Sequence, residues 1–169
     1  VNNYDTHGNL TRSYTIDSMD GSMAIDSYQS YTGDGNHVAS KTDSRGKIVT
    51  YETNLAKDTL TKVTDPNGQS VNYAYDSRKR VIETTANMAG KVYKNAYTYE
   101  SDRIKTVAHN TTTETPDVVY TFDYDELGNQ KTVKVGTQVL SENVYAETGD
   151  HSLLRVEYGN GGKVRYLDN

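Results

Sequence analysis

Several residue types in this chain could carry chemistry, and their spacing decides whether they do. The four histidines, His7, His37, His109 and His151, are scattered. None has a second histidine or a carboxylate at metal-ligand spacing, so they read as exposed turn residues rather than zinc ligands. No serine sits in a Gly-x-Ser-x-Gly setting, which removes the commonest strained-turn nucleophile. Cysteine is absent, which excludes disulfides, thiolate metal sites and cysteine nucleophiles without fixing a compartment. The glycine-rich run Tyr158-Gly-Asn-Gly-Gly162 leads into strand-like Lys163-Val-Arg-Tyr166 rather than a helix, so it reads as a hairpin turn and not a phosphate loop. Asp17-x-x-Asp20-Gly21 and Asp34-Gly35-Asn36 hint at calcium, but both lack the Asp-x-Asp-x-Asp-Gly order and the distal glutamate. No catalytic, cofactor-binding or metal-ligating residue emerges, and the expectation is that the chain is not an enzyme.

The elements that carry these residues have an unusual composition. In 169 residues, Leu, Ile, Val and Phe number only 30, whereas Tyr, Thr and Val together number 53. Those three types favour an extended, half-buried backbone, and Tyr adds a hydroxyl that must stay wet or find a partner. The net charge of -5 is too small for a disordered chain, so an all-β fold is expected. The start without Met and the ends inside patterned sequence read as those of an excised piece. No stretch approaches the roughly 18 apolar residues of a membrane span, so membrane insertion is not expected. The acidic balance and dispersed Lys/Arg argue against nucleic acid.

One pattern runs from end to end. It appears as Tyr4-Asp5-x-x-Gly8-Asn9-Leu10, as Tyr31 with Gly35-Asn36 and Val38, and weakly at Tyr51. It returns as Tyr73-x-Tyr75-Asp76 with Arg80-Val81, as Tyr97-x-Tyr99-Glu100 with Arg103-Ile104, and as Phe122-x-Tyr124-Asp125-x-x-Gly128-Asn129. Weaker copies follow at Tyr145 and Tyr166. The last aromatics are spaced by 27, 20, 24, 24, 25, 21 and 21 residues. A period of this size marks units that complete one another's apolar faces. Within a unit, Val71, Tyr73 and Tyr75 alternate with Asn72, Ala74 and Asp76, which is a strand with two unlike faces. Turns of two classes punctuate the strands. Asp76-Ser-Arg-Lys79 and Asp125-Glu-Leu-Gly128 follow the aromatic strand, while Asp43-Ser-Arg-Gly46, Asp65-Pro-Asn-Gly68 and Asn87-Met-Ala-Gly90 precede it. The expected architecture is one segment, residues 1–169, of about seven antiparallel hairpins paired edge to edge into a curved sheet. Polar loops are expected over 15–27 and 108–117.

The copies resemble the tyrosine-aspartate (YD) repeats of the RHS family, whose form is close to Gly-x(n)-Tyr-x-Tyr-Asp-x-x-Gly-[Arg/Asn]-Leu. Departures are Thr32 for Asp, Lys79 for the turn Gly, a shorter turn after Tyr99, and the degenerate copies at Tyr51 and Tyr145. The resemblance implies a large secreted or cell-surface, wall-associated protein: a bacterial RHS or wall-associated toxin, the C component of a Tc complex, or a teneurin. It also implies a spiralling sheet wound into a hollow shell, which in the bacterial toxins encloses a C-terminal toxic domain. Asp65-Pro66-Asn67-Gly68 resembles the element near that family's self-cleavage point. Gln69 stands where Leu is usual, however, and repeats continue beyond it, so a turn with Pro66 at its second position is expected.

The tyrosines admit two readings. In one they form a ladder of rings stacked between hairpins, and the paired Asp bonds its own turn. In the other they are an exposed platform for sugars. The expected function is accordingly structural, a wall around a toxic domain, whose partners are that domain and neighbouring repeats. The rival is adhesion to cell-surface carbohydrate; self-cleavage is a third and more distant option. Open sheet edges also expose the piece to edge-to-edge self-association.

Overall fold

The computed structural model describes residues 1–16, 21, 23–110, 116–147 and 149–166. The Asp17 and Asp20 considered for calcium lie outside the described residues. Two compact units are present, Val1–Val92 and Tyr93–Asn169.

The first unit holds β1 (Asn2–Tyr4), β2 (Leu10–Ile16), β3 (Met23–Tyr31), β4 (Val38–Thr42), β5 (Ile48–Asn54), β6 (Thr59–Thr64), β7 (Ser70–Tyr75) and β8 (Val81–Met88). Each strand pairs antiparallel with the next, an up-and-down order without crossovers. The second unit repeats the arrangement with β9 (Lys91–Glu100), whose first two residues fall in the first unit, β10 (Arg103–Asn110), β11 (Val118–Tyr124), β12 (Gln130–Val135), β13 (Gln138–Tyr145), β14 (Leu153–Tyr158) and β15 (Lys163–Arg165). All described secondary structure is strand.

Register turns the alternation of each strand into two faces. Tyr51, Val63, Val71 and Ala86 lie side by side across β5 to β8, and Tyr97, Val107, Tyr120 and Val135 across β9 to β12. On the opposite face Ser30, Ser40, Thr50, Thr64, Ser70 and Asn87 form one row across β3 to β8, and Thr98, Thr106 and Thr121 another across β9 to β11. Neighbours in these rows touch: Ser30 Oγ is 2.6 Å from Ser40 Oγ, and Thr98 Oγ1 is 2.6 Å from Thr106 Oγ1. One face is therefore mainly tyrosine and valine and the other mainly hydroxyl, with Tyr14 and Tyr28 on the hydroxyl side. Because each unit is a single layer, no described apolar side chain is buried; only Thr59 and Thr132, each 9% exposed, are. Cohesion must come from the backbone ladder, cross-strand pairs and half-buried rings.

The two expected polar loops are shorter than their sequences suggest. β2 extends to Ile16 and β3 starts at Met23, while Ala108 and His109 are paired with Val119 and Val118. A strand whose second face is polar dilutes the apolar alternation by which strands are recognised, so Asp26 and Ser27 pass for loop residues. The turns also regroup. Asn87-Met-Ala-Gly90 is a two-residue turn between β8 and β9, with φ of 49° at Ala89 and 75° at Gly90, which is the twist that a tight hairpin needs.

Candidate functional site

The turn after each marker tyrosine is built by its aspartate. At Asp5 the backbone N–H donates to Asn9 O at 2.9 Å and Gly8 N–H donates to Asp5 O at 3.1 Å. The carboxylate closes the inside of the turn, with Oδ1 accepting from His7 N–H at 2.8 Å and from Asn9 N–H at 2.9 Å. At Asp76 the acceptances come from Arg78 N–H at 2.8 Å and Arg80 N–H at 2.9 Å, and Oδ2 receives the Arg80 side chain at 2.7 Å. Asp125 repeats the pattern with Asn129. The bond from the Asn9 amide holds Asp5 below the usual carboxylate range, and that from the Arg80 amide does the same for Asp76. Burial pushes Asp125 up, but the bonds from Asn129 outweigh it and its carboxyl also titrates low. These carboxylates have their lone pairs committed to the backbone.

Asp43 and Asp65, placed in a different turn class by their position before the aromatic strand, make the same bonds. Asp43 Oδ1 accepts from Arg45 and Lys47 amides, and Asp65 Oδ1 accepts from Asn67 and Gln69 amides at 2.9 and 2.8 Å. One turn type therefore serves both ends of the strands. Where Thr32 replaces Asp, its hydroxyl accepts from His37 N–H at 3.2 Å while Asp34 accepts from Asn36 N–H at 3.2 Å. Where Lys79 replaces Gly, it adopts the glycine-like φ of 60°.

The marker tyrosines link one hairpin to the one before. Every hairpin carries a β-bulge beside its marker position. The returning strand has one extra residue, such as Thr11, Thr61, Lys105 or Lys131, and the register jumps from Asn3↔Arg12 to Tyr4↔Leu10 or from Asp123↔Thr132 to Tyr124↔Gln130. The ladder to the following hairpin stops before the bulge, at Arg12, Lys62, Thr106 and Thr132. The next marker tyrosine reaches across that gap. Tyr31 Oη donates to Leu10 O at 3.0 Å, Tyr75 to Leu60 O at 2.7 Å, Tyr124 to Ile104 O at 2.8 Å and Tyr145 to Gln130 O at 3.0 Å. The expected ring stacking is replaced, for these four, by hydroxyl-to-carbonyl bonds. The aromatic contact described is instead His109 edge-on to Tyr120, with centroids 5.7 Å apart.

Among the other sequence candidates, Tyr73, Tyr97 and Phe122 lie on the tyrosine face, opposite Thr84, Val107 and Val133. Tyr99 pairs with Ile104 at its bulge, and Tyr4, 61% exposed, lies at the start of β2's hairpin. Tyr51 proves to stand two residues early: the bulge falls at Thr53, which takes the marker position, with Asn54 in the place of Asp. The carbonyls that the phenols seek, and the bulge residues that expose them, were missed, because a backbone acceptor has no side-chain signature.

Adjacent turns also touch. Asn9 Nδ2 donates to Gly35 O at 2.8 Å, and the His7 ring packs on Gly35, where any Cβ would collide with it. The Arg103 guanidinium occupies the corresponding space over Gly128 and lies 5.8 Å from the Tyr124 ring centroid. Two clefts open between successive turns at equivalent positions. One, of about 650 Å³, has Tyr73 and Tyr75 beside Asn54, Lys57, Asp58 and Lys79. The other, of about 500 Å³, has Tyr145 and Leu127 beside Glu126, Glu142 and His151.

Charges elsewhere are largely paired on the hydroxyl face. Asp123 receives Lys134 at 2.6 Å, Thr132 at 2.8 Å and Lys105 at 3.1 Å, which holds its carboxyl far below the usual range. Arg12 grips Asp26 through two bonds between the Tyr14 and Tyr28 rings. Among the described residues no three His, Asp or Glu side chains converge as a metal ion would require, and no helix is long and apolar enough to cross a membrane.

Residues 56–87, which span the Asp65 and Asp76 turns, match the family model described as RHS Repeat. No curated protein matches the chain. Solved structures share its fold, among them the following two. Against a Photorhabdus luminescens Tc holotoxin pore carrying a TccC3 variant, the TM-score is 0.66 at 13% identity, covering 88% of this chain and 8% of that one. Against a TcdB2-TccC3-TEV crystal structure it is 0.68 at 14% identity, covering 90% and 9%. The chain thus spans less than a tenth of the length of these two chains.

Proposed function

From the premise that this chain belongs to the RHS/YD-repeat family, we propose that it is a stretch of the wall of a secreted or cell-surface shell that encloses and delivers a toxic domain. The observation that carries the reading is the tyrosine clip. Four hairpins, those of Tyr31, Tyr75, Tyr124 and Tyr145, bond to the preceding one through a phenol and a bulge carbonyl, so a sheet can grow by adding repeats without a second layer. Asp5, Asp76 and Asp125 are taken up by turns and Arg12, Asp26 and Asp123 by ion pairs, and we assign the wall no reaction of its own. Likeness to Tc toxin structures supports the fold of such a wall.

The test uses the full parent polypeptide. Its sequence is expected to hold many more repeats and a compact unrelated domain downstream. Under limited proteolysis that domain should survive until the repeats are cut, and digestion at the rate of the free domain overturns the reading. Adhesion to carbohydrate has one observation in its favour, the cleft where Tyr73 and Tyr75 meet Asn54 and Asp58. Stabilisation by surface oligosaccharides, lost in Tyr73→Ala, would favour it.

A further inference from the structure

Three of the four turns at one edge of the first unit carry an ion chain that neither the turn geometry nor the tyrosine clips require. His37, which closes the β3–β4 turn, has Nε2 3.2 Å from Asp58 Oδ1 on the β5–β6 turn. Asp58 Oδ2 lies 3.7 Å from Lys79 Nζ on the β7–β8 turn. One carboxylate therefore joins the turns of three successive hairpins, and it does so from a residue held at a φ of 53°. That conformation is uncommon for any residue but glycine, although Asp and Asn tolerate it.

The charges around His37 come from each turn packed near it. In its own turn Asp34, kept ionised by the Thr32 hydroxyl and the Asn36 amide, also interacts with the imidazole. The preceding turn brings His7 against Gly35, with Asp5 interacting with His7. The following turn supplies Asp58 with Lys57 beside it, and the cation beyond is Lys79. The imidazole thus meets the Asp58 carboxylate at 3.2 Å and interacts with that of Asp34 in its own turn, while Lys79 contacts the other oxygen of Asp58. Histidine is the side chain whose charge changes near neutrality.

We propose that His37, Asp58 and Lys79 form a proton-operated clasp along this edge of the wall. When His37 is protonated, Asp58 is ion-paired on both sides and the three turns are tied together. When His37 is neutral, only a hydrogen bond remains on that side and the β3–β4 turn opens more readily. The wall edge therefore tightens as the surroundings acidify. This inference stands apart from what the wall encloses.

Amide exchange, measured by NMR on the chain between about pH 8 and about pH 5.5 and corrected for intrinsic rates, tests the clasp. The Thr32 and Gly35 amides, which donate to His37 O and Thr32 O, should gain roughly two- to fivefold protection on acidification, the size of a partly screened pair. His37→Gln and Asp58→Asn should abolish the gain, and Asn suits the positive φ at 58. Gly68, in a turn of the same type at the opposite edge of the unit, should not change in any of the three proteins. A gain shared by all three, or none in the unaltered chain, overturns the proposal. So does a gain lost in His37→Gln but kept in Asp58→Asn, which would make Asp34 the partner.

Discussion

The Tyr75 phenol donates to the Leu60 carbonyl at 2.7 Å, at the place where the ladder between β6 and β7 has already ended at Lys62↔Asn72. The bulge at Thr61 makes that gap and the tyrosine of the next hairpin closes it. The same pairing of bulge and phenol recurs at Leu10 with Tyr31, Ile104 with Tyr124 and Gln130 with Tyr145. The repeat's most regular side chain thus answers a defect in its own backbone.

Removing only the hydroxyl isolates the clip. Tyr75→Phe should lower unfolding free energy by about 1 kcal/mol, the usual net value of one hydrogen bond. Tyr75→Ala, which also removes a half-buried ring, should cost about 2 to 3 kcal/mol. Tyr4→Phe, at a ring 61% exposed, should be neutral. Urea unfolding of the three variants decides, and an unchanged curve for Tyr75→Ala would refute the structural role of the rings.

The degenerate hairpin offers the converse experiment. Thr53 holds a marker position, and the β4–β5 ladder stops at Ser40↔Thr50, before Val38. By analogy with the other clips, Thr53→Tyr should bring a phenol to Val38 O and stabilise the chain by up to about 1 kcal/mol. A loss of stability would show that the clip needs more than the bulge and the ring.

Strand period, repeat and turn residues were legible because each rests on side chains: Val71, Tyr73 and Tyr75 show a face, and Asp76 shows a turn. The clip was not legible, because its acceptor is a main-chain carbonyl exposed by a register shift, and Leu60 looks like any apolar strand residue. Tyr51 misled for a related reason. Its ring lies on the right face, but the bulge at Glu52/Thr53, invisible in the sequence, moves the marker position two residues on. The likeness between the turns at Asp43, Asp65 and Asp76 was obscured by their opposite positions relative to the aromatic strand.

Lys79 sits at a φ of 60° where other copies use glycine. Left-handed backbone costs an L-residue about 1 to 2 kcal/mol, and the extra freedom of glycine when unfolded returns about 0.4 to 1 kcal/mol of that. Lys79→Gly also removes the exposed pair with Asp58, worth at most about 1 kcal/mol, so the net change should lie between neutral and a stabilisation of about 1 kcal/mol. In contrast, Gly8→Ala and Gly128→Ala both strain a positive φ, but only the second displaces Arg103 from the Tyr124 ring. Gly128→Ala should cost about 0.5 kcal/mol more than Gly8→Ala, and the excess should vanish in an Arg103→Ala background. Chemical denaturation of the double-mutant cycle measures both terms.

Acid should loosen the turns, and the sign follows from the directions of titration. Asp5, Asp76, Asp123 and Asp125 all titrate below the ordinary aspartate value of 3.8 in the folded chain. Groups with depressed folded values contribute stability that is complete above the unfolded value and lost as the pH falls through the folded one. The thermal midpoint should accordingly lose nothing to these four groups between neutrality and about pH 5, then fall below about pH 4. Asp76→Asn keeps an oxygen for the Arg78 and Arg80 amides but loses the charge facing the Arg80 guanidinium at 2.7 Å. It should melt lower than the unaltered chain at neutral pH and converge with it as the pH falls below the depressed folded value of Asp76, where both carry an uncharged side chain at this turn. A difference in midpoint that stays constant across that range would mean that the turn uses the aspartate only for its shape, and not for its charge.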